Sequence, residues 1–211
     1  MANVFNPSVV SHVWLVRTGL LGEDELPHNS GSIFTDALVQ VVAPRYTLIV
    51  TPENLQFVPS PREAKPEQLI AEKVGRLVET LPHTPFRAIG LNFTWHAKPE
   101  DDDGVRRLAR RLFFREESPL YREFSSSDCQ YGAYLSKDTL GFRLKLDIRP
   151  ITSHLRDGVT EQFLQMLFNY HADIGPGEDA VARIGELLGR WQDASNEAQR
   201  LVGLILDRGE A

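Results

Sequence analysis

The sequence predicts an α+β fold with a largely antiparallel sheet of about six to eight strands and helices on one face. Three patterns lead to this prediction: strict alternation of apolar and polar residues, apolar residues at three- and four-residue spacing, and an internal repeat. Alternation is clearest at 140–149 (LGFRLKLDIR), where apolar residues face one side and charged residues the other. Such a strand has one covered face and one face in water.

Strands dominate the elements predicted up to residue 97. Segment 66–81 is the exception, because its apolar residues recur at helical spacing and Pro66 suits the first turn of a helix. The glycines, proline and acidic residues of 19–32 predict a loop. Runs rich in β-branched and aromatic residues predict strands at 9–18, 37–43, 46–51, 55–59 and 86–96.

After residue 100 the patterns predict a helix, a hairpin and a long C-terminal helix. The helix at 105–114 follows three aspartates at 101–103, which would complement its N-terminus or hold a divalent cation. Segments 131–136 and 140–149 form a hairpin around Lys137, Asp138 and Thr139, and 161–172 is a strand or a short helix. The last helix runs from about 178 to 207.

Two short segments recur in the same order. TPENLQF (51–57) matches SKDTLGF (136–142), and FTWHA (93–97) matches FNYHA (168–172). The repeat predicts a single domain, 1–211, made of imperfectly duplicated halves at about 46–114 and 131–189 that are related by a pseudo-two-fold axis. The second half has no counterpart of helix 66–81, and recurring turn chemistry would also produce such matches.

Composition excludes several classes of protein. A chain with 42% hydrophobic and 25% charged residues is globular, and a net charge of −6 excludes a uniformly basic surface. The single cysteine, Cys129, excludes an intrachain disulfide. The apolar run 9–16 is too short and too polar for a signal sequence or a membrane span. We therefore expect a cytoplasmic protein that does not bind membranes.

Five arginines, Arg106, Arg107, Arg110, Arg111 and Arg115, follow one face of the predicted helix 105–114. Such a face could bind phosphates or an acidic partner, and Arg143, Lys145 and Arg149 could extend it on the open sheet face. The alternative is a helix face that is merely solvated or ion-paired. Nucleic-acid binding through this helix would depend on salt and would weaken when Arg107 and Arg111 become Glu.

Other candidate sites are weaker. His96 and His171 occupy equivalent places in the repeat and could meet as metal ligands or as an acid–base pair, although strand-end histidines commonly bond only to the backbone. The C-terminal helix could dimerise or bind a partner, or pack on its own sheet. Its apolar seam consists of Ile184, Leu187, Leu188, Trp191, Ala194, Ala198, Leu201 and Ile205, of which Trp191, Leu201 and Ile205 are the predicted partner contacts.

No phosphate-binding loop, dinucleotide-binding motif, hydrolase elbow or paired-cysteine motif occurs in the sequence, and no cofactor is predicted. The first hypothesis is a non-enzymatic interaction protein, a subunit or adaptor that acts through a protein partner or a second copy of itself. One alternative is an enzyme with a site at His96 and His171. The other is nucleic-acid binding through the 106–115 face.

Segments 81–93 (LPHTPFRAIGLNF), 144–148 (LKLDI) and 167–171 (LFNYH) carry a resemblance to a known family. With them the chain resembles a sporadically distributed family of bacterial proteins of unknown function. The resemblance extends over about two thirds of the chain and implies a bacterial cytosolic protein. It implies no catalytic residues.

Overall fold

The structure is a computed structural model that describes residues 5–22, 25, 31–98, 104–154 and 158–207. It belongs to the α+β class, as predicted. The described strands form two four-stranded antiparallel sheets, where the sequence predicted one sheet. The chain divides into two compact units, residues 1–89 with 172–192 and residues 90–171 with 193–211.

The first unit contains a sheet in the order β1-β2-β3-β4. Its strands are β1 (Ile33–Phe34), β2 (Val39–Val42), β3 (Tyr46–Val50) and β4 (Leu55–Pro59). Alternate residues of β2 and β3 are buried, so one face of this sheet supplies the core. Three helices accompany the sheet: α1 (His12–Arg17), α2 (Pro66–Glu79) and α5 (Ala180–Leu188).

Three hydrogen bonds, one of them buried, join the segment after α1 to the rest of the first unit. The Tyr46 hydroxyl donates to the Leu20 carbonyl at 2.6 Å, and Lys73 and Arg76 of α2 both donate to the Gly19 carbonyl at 3.3 Å. Gly19 has a φ of 68°, a conformation that favours glycine. Burial in the core raises the pKa of the Tyr46 hydroxyl above its ordinary value of 10.0.

The second unit contains a sheet in the order β5-β8-β7-β6. Its strands are β5 (Ala88–Ala97), β6 (Ala133–Thr139), β7 (Phe142–His154) and β8 (Thr160–Asp173). The helices α3 (Gly104–Phe113), α4 (Pro119–Glu123) and α6 (Trp191–Asp207) complete it. α3 packs against β7, whose Phe142, Leu144, Leu146 and Ile148 are buried. The helix-bearing side of the sheet is called the covered face below.

α6 is held to the covered face by the carboxylate of Glu197. It accepts hydrogen bonds from Lys137 Nζ at 2.5 Å, Thr139 Oγ1 at 3.2 Å and Tyr170 Oη at 3.4 Å. The Tyr170 ring packs against Phe93 and Phe142. Burial, followed by the negative charge of Glu197, raises the pKa of the Tyr170 hydroxyl above 10.0. These contacts join α6 to strands β6 and β8, and the Tyr170 ring extends them to β5 and β7.

The strand predicted at 9–18 is wrong: the chain there forms a short 3₁₀ turn, Pro7–Val9, and then α1. The Ser11 side chain accepts a hydrogen bond from the Trp14 amide and caps α1, and Leu15 is completely buried. Capping and tertiary burial therefore override the β propensity of the valines.

The predicted long C-terminal helix 178–207 consists of two helices, α5 and α6, that are separated at Gly189 and Arg190. Segment 161–172, left open as strand or helix, is strand β8. The hairpin between β6 and β7 turns at Leu140 and Gly141, which both have positive φ. These residues directly follow the predicted turn residues 137–139.

The duplication stays a prediction. The two matching aromatic segments lie side by side, since Phe93 contacts Tyr170 and Trp95 contacts Phe168. The matched hairpins differ, however, because β3 and β4 are joined by a four-residue loop and β6 and β7 by a two-residue turn. Aspartates 101–103 lie outside the described residues.

Candidate functional site

The sheet of the second unit has a polar side opposite its covered face, and it is called the open face here. Residues opposite one another in an antiparallel pair point to the same side, so the register of β7 determines which residues belong to it. β7 contributes Arg143, Lys145, Asp147 and Arg149, which alternate with its buried residues. By register, its neighbours contribute Tyr134, Ser136 and Asp138 from β6 and Gln165, Leu167, Asn169 and His171 from β8.

β5 joins the open face through two side-chain contacts. The Asn169 amide donates to Asn92 Oδ1 at 2.7 Å, and Gln165 Nε2 lies 3.0 Å from His96 Nε2. Lys145 lies opposite Asn169 on one side and opposite Ser136 on the other. Asn92, Asn169, Lys145 and Ser136 therefore form a polar row across all four strands.

The cations of the open face are accessible and weakly paired. The side chains of Arg143 and Arg149 are 51% and 56% exposed and pair with Asp138 at 3.1 Å and Asp147 at 3.7 Å. Exposed pairs of this kind contribute about 0–1 kcal/mol, so an incoming anion can replace the carboxylates. Lys145 lies between the two pairs, and no carboxylate in the described part of the chain pairs with it.

Aromatic rings lie at two edges of the open face. Tyr134, on edge strand β6, is 66% exposed. It lies directly opposite Asp147 and diagonal to Lys145. On the other side, the His96 ring packs 5.7 Å from the Phe163 ring. An exposed tyrosine beside cations and amides provides a stacking surface within reach of hydrogen-bond donors.

The predicted arginine face of α3 divides into two sets. Arg110 donates to the Ser125 carbonyl at 3.2 Å and to the Tyr131 hydroxyl at 3.0 Å, and its guanidinium lies 4.3 Å from the Phe114 ring centre. Arg106 donates to the Ser127 carbonyl at 3.3 Å, so these two arginines hold the segment after α4 in place. Arg107, Arg111 and Arg115 form the exposed set. Arg111 and Arg115 have no ion-pair partner among the described residues.

The structure does not bring His96 and His171 together. His96 contacts Gln165, which precedes His171 by six residues on the extended strand β8. Six residues of a strand span about 20 Å, far more than a shared metal site allows. Within the described ranges no group of three or more His, Cys, Asp or Glu side chains could hold a metal ion.

The predicted seam of the C-terminal helix is mostly used inside the protein. Ala194 and Ala198 are completely buried, whereas Trp191, Leu201 and Ile205 are half-buried. Leu204, which was not predicted, is the exposed apolar residue of the last turns. The partner contacts predicted on this helix are therefore only partly accessible. None of the helices in the described ranges is long and apolar enough to cross a membrane.

The first unit has a separate apolar cleft of about 310 Å³. Its walls come from the 3₁₀ turn, β3, β4 and the segment after α2, which includes His83. Neither this cleft nor Tyr134 was predicted as a site, because both depend on pairing between distant segments. Alternation in β6 could have indicated that Tyr134 shares a face with Ser136 and Asp138.

No family model, no curated protein and no solved structure matches this chain. Its own side chains are thus the basis for its proposed function.

Proposed function

We propose that this protein is a non-enzymatic interaction protein, a cytoplasmic subunit or adaptor that binds its partner on the open face. The observation that carries the proposal is the polar row with Arg143 and Arg149 beside it: hydrogen-bond donors at regular strand spacing, one of them a lysine with no ion-pair partner among the described residues. A surface of this kind complements an anionic or acceptor-rich partner. Membership of the bacterial family that the quoted segments resemble is part of the same proposal.

Rigidity of the face supports a binding role. The strands that carry it are fixed from behind by buried Leu144, Phe168 and Tyr170 and by the Glu197 contacts. Donors held on such strands lose little backbone freedom when a partner binds, which favours affinity.

The exposed arginine set of α3 is the second candidate surface. Arg111 and Arg115 lack ion-pair partners among the described residues, which supports a contact with an acidic partner or with nucleic acid. This set offers only guanidinium groups, whereas the open face also has amide and aromatic side chains.

Affinity capture with charge-reversed variants tests the two surfaces against each other. The tagged protein, a Lys145→Glu/Arg149→Glu variant and an Arg111→Glu/Arg115→Glu variant would each be used, and recovered molecules would be quantified by mass spectrometry and nucleic-acid staining. We expect the open-face variant to lose its specific partner at least about tenfold and the α3 variant to retain it. Circular dichroism would show that both variants fold. Retention by the open-face variant would contradict the proposal.

A further inference from the structure

We propose that the open face binds single-stranded nucleic acid, an inference that rests on the proposed function and names the partner. Three of the four charged residues that β7 contributes to the open face are cations. Arg143 and Lys145 are neighbours on one side of β7, and Arg149 lies further along the same line. Residues two apart on a strand lie about 6.7 Å from each other, so the three cations lie on one line, with Asp147 between Lys145 and Arg149, along which an extended phosphate backbone can run.

Side-chain amides surround the three cations. Asn92 and Asn169 present amide groups from the polar row, and Gln165 presents a third beside Arg149. Amide side chains both donate and accept, as the edges of unpaired bases require. Unpaired bases and phosphates use the amides and the cations together, whereas the carboxylates of an acidic protein need only the cations.

The exposed Tyr134 ring provides a surface on which a base can stack. It projects from the edge strand on the same side as Lys145, in a position where a base can stack while its phosphate reaches the lysine. A duplex keeps its base faces stacked inside the helix, so this contact is open only to a single strand. The carboxylates of the face do not prevent binding, because Asp138, Asp147 and Glu161 each belong to a pair with an exposed cation that a phosphate can displace.

Fluorescence anisotropy with labelled RNA and DNA strands of roughly twelve nucleotides, a length within the range of single-strand binding sites, tests the inference. The same sequence as a duplex is the comparison. We expect single strands to bind at low salt, at least about tenfold more tightly than the duplex, with affinity that falls as salt rises.

Two variants separate stacking from charge. Tyr134→Ala should weaken binding about 5- to 150-fold without changing the salt dependence, and Tyr134→Phe should restore it. Lys145→Ala should weaken binding and lower the salt slope by about one. Arg111→Ala, which removes the same charge from α3, is the matched control and should bind as the unaltered protein does.

Absence of single-strand binding at low salt would overturn the inference, as would equal binding of single strand and duplex with Tyr134→Ala silent. Loss of binding in Arg111→Ala instead of Lys145→Ala would also overturn it and would place the contact on α3. The proposed function fails separately: if no nucleic acid binds but a protein partner is lost from the Lys145→Glu/Arg149→Glu variant, the inference is wrong and the proposed function stands.

Discussion

The two faces of the second-unit sheet are built from alternating residues of the same strands and have opposite properties. On β8, Phe168 and Tyr170 are completely or almost completely buried, whereas Asn169 between them bonds to another amide on the open face. On β7, buried Leu144 is followed by exposed Lys145. Burial is thus concentrated at one set of alternate positions and the proposed recognition at the other, so the open face can change with little effect on folding.

Truncating one residue on each face of β8 should give the largest difference in stability between the two faces. Phe168→Ala removes a buried ring that packs on Trp95 and should lower the free energy of unfolding by about 3–5 kcal/mol. Asn169→Ala loses one partly exposed hydrogen bond and should cost about 1 kcal/mol or less. Urea denaturation followed by circular dichroism measures both. Equal losses would contradict the assignment of stability to the covered face.

Two glutamates give a smaller contrast: Glu197 of α6 contacts the covered face, and Glu161 of β8 lies on the open side by register, opposite Ser153. Glu197→Ala leaves the Tyr170 hydroxyl and the Thr139 hydroxyl without their acceptor and should cost about 1–3 kcal/mol. Glu161→Ala removes only the ion pair with the exposed Lys98, at 2.5 Å, and should cost at most about 1 kcal/mol. Thermal unfolding of both variants checks the order, and a more destabilising Glu161→Ala would reverse our assignment.

Alkaline pH provides the third test. Because burial raises the pKa of Tyr46 and Tyr170 in the folded protein, the folded state keeps protons that the unfolded chain releases above about pH 10. Their contribution to stability is fully present below pH 10 and is lost as pH rises above it, by at most about 1.4 kcal/mol per pH unit for each tyrosine.

Chemical denaturation between pH 8 and 11 would measure this loss, with Tyr170→Phe as the control. The phenylalanine variant should show a shallower decline above pH 10 because one of the two buried hydroxyls is gone. A decline as steep as that of the unaltered protein would show that Tyr170 does not contribute to it.

Periodic patterns of apolar residues correctly predicted elements that depend only on neighbouring residues. The alternation of 140–149 correctly indicated one covered and one wet face, and the helical spacing of 66–81 matches α2 to within two residues. The alternation also singled out Arg143, Lys145 and Arg149, but it could not show which of them would be paired. Arg110 and Arg111 are adjacent in sequence, yet one is tied to the 124–131 segment and the other is free among the described residues.

The sequence by itself determined the α+β class and the polar character of the open face, because apolar periodicity acts over a few residues. Only the tertiary structure decided that the strands form two sheets, that segment 12–17 is a helix, and that Tyr134 lies opposite Asp147 and diagonal to Lys145. These outcomes depend on which distant segments pair and on what each buried side chain meets. Strand pairing and burial are set by packing across the chain, which local propensity does not encode.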